Sequence, residues 1–219
     1  MSYKIKIATP RRKQPRKTNT DDGLVTFDQY YEMVDESERA DLLDGKIIRD
    51  SPAVPKHGRT ITWVTKLIGY LAEEHDLGEV FGTTTTVRLT KYQGPEPDVF
   101  FIRKDRQGII VDEKYIDGPP DLCVEVISKS SRKIDRGRKF VLYADHGVRE
   151  YWIIDPIRDT VEFYENQEGE WKEIKPDEEG KLHSKVLPDL WIKPEWLAAH
   201  PLPPVLQVLR EILGRDKLL

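Results

Sequence analysis

Two apolar runs of strand length, each carrying a carboxylate, constrain the fold of this chain more than any other feature. Asp98 opens the run DVFFI, and Glu125 lies inside the run LCVEVI, between two valines. An acid in an apolar strand is costly to bury unless a cation lies beside it. Both runs fall within residues 95–156, which also contain the basic, helix-like run SRKIDRGRK. This pattern predicts a metal site that handles phosphate, at the point where two neighbouring strands end.

The alternation of side chains along the second run predicts which way Glu125 points. Successive strand residues face opposite sides of a sheet, so Val124 and Val126 share one face while Cys123 and Glu125 share the other. Glu125 therefore points towards the side that Asp98 faces. The two carboxylates and the backbone carbonyl of Val126 would be hard oxygen ligands for a divalent cation. A buried ion pair between Glu125 and an internal Arg or Lys is the alternative.

Local signals near the N-terminus predict a short helix followed by a hairpin. Thr26 and Gln29 have the spacing of a capping box, so we expect a helix over 26–35. An Asp-Gly pair between two short apolar runs predicts a tight turn within a hairpin over 40–48.

Hydrophobic periodicity predicts the remaining elements. Apolar residues at three- and four-residue steps indicate long helices over 57–75 and 132–146. Predicted strands cover 79–89, including a run of four threonines, 98–103, 122–128, 150–155 and 160–166, with short strands between 171 and 191 and two terminal helices over 194–213. This order is typical of an α/β fold with a mixed central β-sheet flanked by helices.

Composition limits the class of protein. A chain of 219 residues with 38% hydrophobic and 34% charged residues is long and apolar enough for one folded domain with a full core. No run approaches the roughly 18 apolar residues that a membrane span needs, so we expect no membrane contact. Cys123 is the single cysteine, which excludes an internal disulfide and makes a reducing, cytoplasmic location the simplest expectation.

Charge is unevenly distributed along the chain. Residues 1–20 contain seven Lys or Arg and no acid, so they carry +7, and the net charge of −4 leaves −11 for residues 21–219. A basic arm on an acidic body suggests contact with a polyanion, and a disordered, solubilising tail is the alternative. We expect three parts: a disordered basic arm over 1–20, a folded domain over 21–192 and a helical extension over 193–219.

A cation near the metal would orient the attacking water and stabilise charge on phosphate. Lys139, on the helix that follows the Glu125 strand, is the candidate, although Asp135 one turn earlier could simply pair with it. Lys129 is a second candidate, because it lies four residues after Glu125 and would face the same side if the strand continued. Arg132 and Arg136 share a helix face that could contact a nucleic-acid backbone, or that could simply be solvated.

The segments around Asp98, PPDLCVEVIS and SRKIDRGRKFVLYADHGVREYWIIDP resemble the Uma-two family of bacterial proteins assigned as restriction endonucleases. That family belongs to the restriction-endonuclease-like PD-(D/E)XK superfamily. The resemblance is strong over residues 95–156, weaker over 26–166, and does not include the basic arm. It implies a restriction-endonuclease-like core, cleavage of DNA with Mg²⁺ or Mn²⁺, and a homodimer.

Residue by residue, the resemblance puts Asp98 at the superfamily's motif aspartate and Glu125 at its motif acid. The lysine expected two residues after that acid is absent, because Ile127 stands there. In this family the lysine comes from the following helix, and Lys139 matches that position. Lys129 stands where the family usually has proline, so a lysine supplied from the loop is also possible.

Two further positions match the family as accessory residues. Asp41 stands where the family often has glutamate before its Leu-Asp-Gly turn, and His57 opens the first long helix, where the family commonly has histidine. The main hypothesis is therefore a Mg²⁺-dependent DNA nuclease. A catalytically degraded nuclease fold that only binds nucleic acid is the alternative, and a protein-interaction scaffold is a third hypothesis that leaves the two acids unexplained.

Overall fold

The structure, a computed structural model, describes residues 23–35, 38–49 and 54–214, and the predicted basic arm over 1–20 lies outside them. The helices are α1 (Phe27–Met33), α2 (Pro55–Glu74), α3 (Phe140–Asp145), α4 (Pro194–Ala198) and α5 (Val205–Leu213). The strands are β1 (Ala40–Leu43), β2 (Lys46–Arg49), β3 (Gly78–Gly82), β4 (Val87–Arg88), β5 (Val99–Arg103), β6 (Ile110–Val111), β7 (Tyr115–Asp117), β8 (Leu122–Val126), β9 (Glu150–Asp155), β10 (Thr160–Gln167), β11 (Glu170–Ile174), β12 (Leu182–His183) and β13 (Trp191–Ile192).

A six-stranded sheet in the order β11-β10-β9-β8-β5-β3 forms the centre of the domain. β8 and β9 are parallel, whereas the other neighbouring strands are antiparallel. A parallel pair needs a crossover connection, and the segment containing α3 supplies it. The predicted α/β fold with a mixed central sheet is therefore confirmed.

One face of the sheet is covered by α2 and the C-terminal helices. Val64, Leu67 and Leu71 recur at helical spacing, and all three are fully buried against the sheet. Leu197 of α4 and Leu209 of α5 belong to the same apolar core. The predicted C-terminal extension therefore begins with two helices that share the core of the domain. Among the described helices, none combines the length and apolarity that crossing a bilayer requires.

The other face of the sheet packs against α3. Tyr143 of α3 and Tyr151 of β9 are buried there together with Cys123 and Ile127. Since the valines of β8 lie in the opposite core, the predicted side-chain alternation along this strand is confirmed. Glu125 therefore faces the α3 side of the sheet.

The predicted helix over 132–146 differs from a regular α-helix in its first half. Ile134–Lys139 is π-helical, with wider turns than the α-helical segment α3 that continues from it. The predicted strand over 79–89 is wrong in its middle, because Thr83 and Thr84 form a turn. β3 loses its partner at Gly82, which pairs with the first residue of β5, so strand propensity has no neighbour to pair with beyond that point.

The N-terminal elements form as the local signals predict. The Thr26 hydroxyl accepts a hydrogen bond from the Gln29 N–H at 3.3 Å, and the Gln29 side chain accepts one from the Thr26 N–H at 2.9 Å. Asp44 and Gly45 both have positive φ, as a tight hairpin turn between β1 and β2 requires. Asp41 Oδ1 then accepts a hydrogen bond from the Glu96 N–H at 2.7 Å, which fixes the hairpin beside β5.

Candidate active site

Strand pairing brings the two predicted acids to the same end of the sheet. β5 and β8 are antiparallel with Val99 opposite Val124, so Asp98, just before β5, lies level with Glu125. Both carboxylates are buried, with 3% and 2% of their surface exposed. A stable fold that buries two neighbouring acids must supply compensating cations or hydrogen-bond donors.

A narrow cleft of about 30 Å³ at this end of the sheet collects side chains from four parts of the chain. It is lined by Arg39, Asp41, His57, Asp98, Glu125, Ser128, Ser130, Ser131, Ile134, Asp135 and Lys139. Five predicted site residues, Asp41, His57, Asp98, Glu125 and Lys139, are thus brought together. A cavity of this volume holds a water molecule or an ion of similar size.

Lys139 is held between two of the acids. Its Nζ lies 3.0 Å from Asp41 Oδ2 and 2.9 Å from Glu125 Oε1, and the Tyr143 hydroxyl donates a third bond to the same Glu125 oxygen at 2.8 Å. Burial alone would lower the pKa of Lys139, but the adjacent carboxylates raise it well above its ordinary value. Lys139 is therefore a permanent cation inside the cleft.

Two hydrogen-bond donors hold Asp98, and a histidine lies beside it. Arg39 donates to its Oδ1 at 2.7 Å, the Val126 N–H donates to its Oδ2 at 2.7 Å, and His57 Nε2 lies 3.6 Å from Oδ2. Burial alone would raise the pKa of Asp98, but His57 and Arg39 hold it below its ordinary value. Burial acts to lower the pKa of His57, but the adjacent Asp98 carboxylate outweighs burial and raises that pKa.

The cleft contains more negative than positive charge. Asp41, Asp98, Glu125 and Asp135 are all at least 95% buried there, facing the two fixed cations of Arg39 and Lys139 together with one titratable histidine. Burial and the neighbouring acids raise the pKa of Glu125 well above its ordinary value, and burial raises the pKa of Asp135 to about 7. The site therefore binds an additional proton or cation favourably.

The donor set fits a hard divalent cation. Carboxylate oxygens are the ligands that Mg²⁺ and Mn²⁺ prefer, and the buried Asp135 Oδ2 has no hydrogen-bond partner within the described chain. No three acidic, histidine or cysteine side chains of the described residues are already arranged around a common ion position. Asp41 and Glu125 instead hold the ammonium of Lys139, so ion binding would require this lysine to move.

Sequence reasoning missed the roles of two cleft residues. From the sequence, Asp135 is predicted only as an alternative i,i+4 partner of Lys139, yet both side chains face the cleft, with 2% and 3% exposure. Their four-residue spacing was the available signal, since it places both on one side of a helix. Arg39, which pairs with Asp98, precedes the hairpin, and no pattern in the sequence points to it.

Three predicted basic residues lie elsewhere. Lys129 is exposed in the loop after β8 and does not line the cleft. Arg132 pairs with the buried Asp155 at 2.6 Å, and Arg136 makes two bonds to Glu162, at 2.8 and 2.6 Å. The guanidinium groups of both arginines are thus committed to acids of β9 and β10, and nucleic-acid contact by them stays a prediction.

The raised pKa of Asp135 predicts a pH dependence of stability. Unfolded Asp135 releases its proton near pH 3.8, whereas the folded chain retains it to about pH 7. The contribution of this group is therefore complete below the lower value and is lost as pH rises through the higher one. In a metal chelator, the free energy of unfolding by urea should fall by a few kcal/mol over this range, at roughly 1.4 kcal/mol per pKa unit.

Asp135→Asn should flatten this fall, because the neutral amide does not titrate. Asp145→Asn, the same change at an exposed position on the same helical segment, is the matched control and should retain the fall. Equally steep pH dependence in both variants would show that another group is responsible.

Comparisons with known proteins agree with this architecture. A solved structure described as "a putative nuclease belonging to DUF820", from Anabaena variabilis, superposes with a TM-score of 0.66. The match covers 80% of this chain and 97% of that one at 19% sequence identity, which establishes a shared fold. Among curated proteins, none matches this sequence.

The family model Uma2, described as "Putative restriction endonuclease", matches residues 27–198. The matched region runs from the first residue of α1 to the last residue of α4, and it includes every predicted site residue. The resemblance found in the sequence over 26–166 is thereby confirmed and extended towards the C-terminus. This chain belongs to the Uma2 family of restriction-endonuclease-like proteins.

Proposed function

We propose that this chain is a metal-dependent endonuclease that hydrolyses phosphodiester bonds in DNA. One observation carries the proposal: four buried carboxylates meet at the end of two neighbouring strands with only two fixed cations among the residues lining the cleft. Acidic oxygens around a small polar cavity suit a hard divalent cation, and such ions serve in phosphodiester hydrolysis. Family membership and the shared nuclease fold support the same reaction class.

Asp98, Glu125 and the backbone carbonyl of Val126 would hold Mg²⁺ or Mn²⁺. Asp41 would be an accessory ligand, because its Oδ2 and Glu125 Oε1 both lie within 3.0 Å of Lys139 Nζ and therefore face the same small space. The bound ion would supply Lewis acidity and a lowered pKa of coordinated water. Arg39 and the Val126 N–H fix the orientation of the Asp98 carboxylate, so one motif acid is held in place before any ligand arrives.

Lys139 would act on the water and the phosphate. Its ammonium donates hydrogen bonds within the cleft and carries a fixed positive charge, which stabilises negative charge that develops on phosphate oxygens. His57 is an accessory group: its Nδ1 is buried without a hydrogen-bond partner among the described residues. That nitrogen is available to a phosphate oxygen or a water molecule.

A second candidate is a nucleic-acid-binding module that retains the fold without cleaving. The observation that favours it is that Lys139 and Arg39 already pair with Asp41, Glu125 and Asp98. Internal ion pairs of this kind neutralise acids without a metal. This second function predicts that the chain binds DNA, that the binding weakens as salt concentration rises, and that no metal-dependent cleavage occurs.

Incubation of the full chain with supercoiled plasmid distinguishes the two candidates. We expect nicked and linear DNA in Mg²⁺ or Mn²⁺ and none in EDTA, while calorimetry shows Mn²⁺ binding to the protein alone. Intact plasmid in both metals, with DNA binding retained, would favour the binding module. Size-exclusion chromatography of the same sample tests the homodimer that family resemblance implies.

A further inference from the structure

A cavity much larger than the cleft lies on the outer side of α2. This groove, about 990 Å³ in volume, runs between α2 and the segment that joins α4 to α5. It is lined by Pro55, Lys56, Gly58, Arg59, Thr60, Thr62, Trp63, Lys66, His200, Pro201, Leu202 and Val205. We call it the α2 groove.

The α2 groove is basic on an otherwise acidic protein. Its lining includes Lys56, Arg59, Lys66 and His200 and no acid. Residues 21–219 together carry −11, the net −4 less the +7 of residues 1–20, so a basic patch here departs from the rest of the surface. Such a patch attracts a polyanion through local charge and release of its counterions.

The basic side chains follow the axis of α2. From Lys56 to Lys66 the helix rises about 15 Å, which matches the axial rise of roughly four nucleotides of one DNA strand. Lys56 is already paired with Asp159 at 3.1 Å, and His200 Nε2 lies 3.9 Å from the same carboxylate. Arg59 and Lys66 are exposed and make no ion pair with any residue that the structure describes. These two are therefore the cations available to phosphates.

The groove adjoins the candidate active site. Lys56 and Gly58 line the groove, while His57 between them lines the cleft beside Asp98. The first turn of α2 is thus a wall shared by the two cavities. A strand whose phosphate entered the cleft would therefore lie beside the first turn of this helix.

Other surfaces suit a polyanion less well. Arg132 and Arg136 are committed to Asp155 and Glu162. The cavity of about 700 Å³ beside α1 is lined by several acids and one lysine: Glu32, Asp35, Glu38, Glu96, Glu113 and Lys114. Its charge would repel phosphate, whereas the α2 groove combines cations with an apolar wall formed by Trp63, Leu202 and Val205.

We propose that the α2 groove receives the sugar-phosphate backbone of the DNA strand that flanks the bond in the active site. The proposal rests on the proposed function in taking DNA as the ligand. Arg59 and Lys66 contact phosphates, and the apolar wall accommodates sugars and bases. The groove contributes affinity and positioning, while the chemistry stays with the cleft acids.

Fluorescence anisotropy of a short labelled DNA duplex over a series of salt concentrations, in EDTA to prevent cleavage, tests this proposal. For Arg59→Gln/Lys66→Gln we expect the slope of log affinity against log salt to fall by nearly 2, at about 0.9 per lost phosphate contact. Affinity should fall tens of fold at about 0.1 M salt by the same relation. The labelled single strand, measured in parallel, shows whether one strand suffices.

Lys91→Gln/Lys172→Gln is the matched control, because it removes two exposed positive charges that lie outside the α2 groove. Lys91 precedes Gln93 in a turn, and Lys172 lies on β11. We expect its salt slope to match that of the unmodified chain. An equal loss in both double variants would overturn the proposal, because net charge would then explain binding. A change in oligomeric state in Arg59→Gln/Lys66→Gln, with DNA affinity unchanged, would also overturn it and identify a chain–chain interface.

The outcomes separate this proposal from the proposed function. If Arg59→Gln/Lys66→Gln loses DNA affinity while the control does not, and the unmodified chain never cleaves plasmid, DNA binding by the α2 groove is supported and the proposed catalysis is overturned. Unchanged affinity in a protein that cleaves with Mg²⁺ overturns the groove and leaves catalysis standing. Absence of DNA binding by the unmodified chain at low salt would overturn both.

Discussion

Glu125→Gln should lower the rate of metal-dependent DNA cleavage by at least about a hundredfold. Loss of groups that merely support a metal ligand typically costs 10- to 100-fold in metal affinity or activity, so loss of a ligand itself should cost no less. Glutamine has the shape of glutamate and can still accept the hydrogen bond from Tyr143. The change therefore removes charge from the cleft with little change in packing.

The same substitution should not destabilise the protein in EDTA. Burial and the nearby acids Asp41, Asp98 and Asp135 raise the pKa of Glu125, so its charged form opposes folding. A neutral amide relieves that repulsion, although it weakens the pairing with Lys139. We expect urea unfolding of the variant within about 1 kcal/mol of the unmodified chain, against a clear loss of Mn²⁺ affinity by calorimetry.

Glu170→Gln provides the control for both measurements, because it makes the same chemical change at an exposed position on β11. It should cleave and bind Mn²⁺ as the unmodified chain does. Plasmid cleavage that persists undiminished in Glu125→Gln would remove Glu125 from the mechanism. Lost cleavage with unchanged Mn²⁺ affinity would reassign it from ligand to a role in the chemical step.

The parts of the site that could be predicted from sequence depend on local rules. Alternation along a strand determines the side to which Glu125 points, whereas the antiparallel pairing that brings Asp98 level with it is seen only in the structure. The turn and cap signals near Thr26 and Asp44 likewise act within a few residues. Lys139 is predictable as a candidate from its place on the helix after the Glu125 strand, and the family resemblance points to the same position.

The remaining features depend on contacts between distant segments. Arg39 reaches Asp98 across 59 sequence positions, and Arg136 meets Glu162 across 26. Sequence periodicity does not reveal such pairings. Arg132 and Arg136 therefore look like a free basic surface in the sequence, although both are paired with acids in the structure. The turn at Thr84 also depends on a distant segment. Threonine favours a strand, but β5 begins at Val99, opposite Gly82, so the residues after Gly82 have no strand to pair with.

Lys139→Met should destabilise the protein in EDTA by about 3–5 kcal/mol, the usual cost of removing one partner of a buried ion pair. Lys139 is 97% buried and its ammonium lies within 3.0 Å of both Asp41 and Glu125, so its loss leaves two adjacent buried acids without their shared cation. Methionine retains most of the volume of the lysine stem. The destabilisation is therefore electrostatic, and it should shrink at acidic pH as the carboxylates take up protons.

Mn²⁺ should reverse much of this loss. The cation competes with the ammonium for Asp41 and Glu125, so removing Lys139 should strengthen Mn²⁺ binding while reducing cleavage. We expect a larger rise in unfolding temperature on adding Mn²⁺ to Lys139→Met than to the unmodified chain. Lys139→Arg, which keeps the charge, should restore stability in EDTA.

Lys129→Met is the decisive comparison, because Lys129 is the competing candidate for the catalytic lysine and is exposed in the loop after β8. It should leave both stability and Mn²⁺ response unchanged and should retain cleavage. Cleavage lost in Lys129→Met but retained in Lys139→Met would transfer the catalytic role to the loop lysine. A Lys139→Met variant as stable in EDTA as the unmodified chain would mean that Asp41 and Glu125 are not both ionised. The cleft would then have no excess of negative charge, and the main argument for a metal ion would fail.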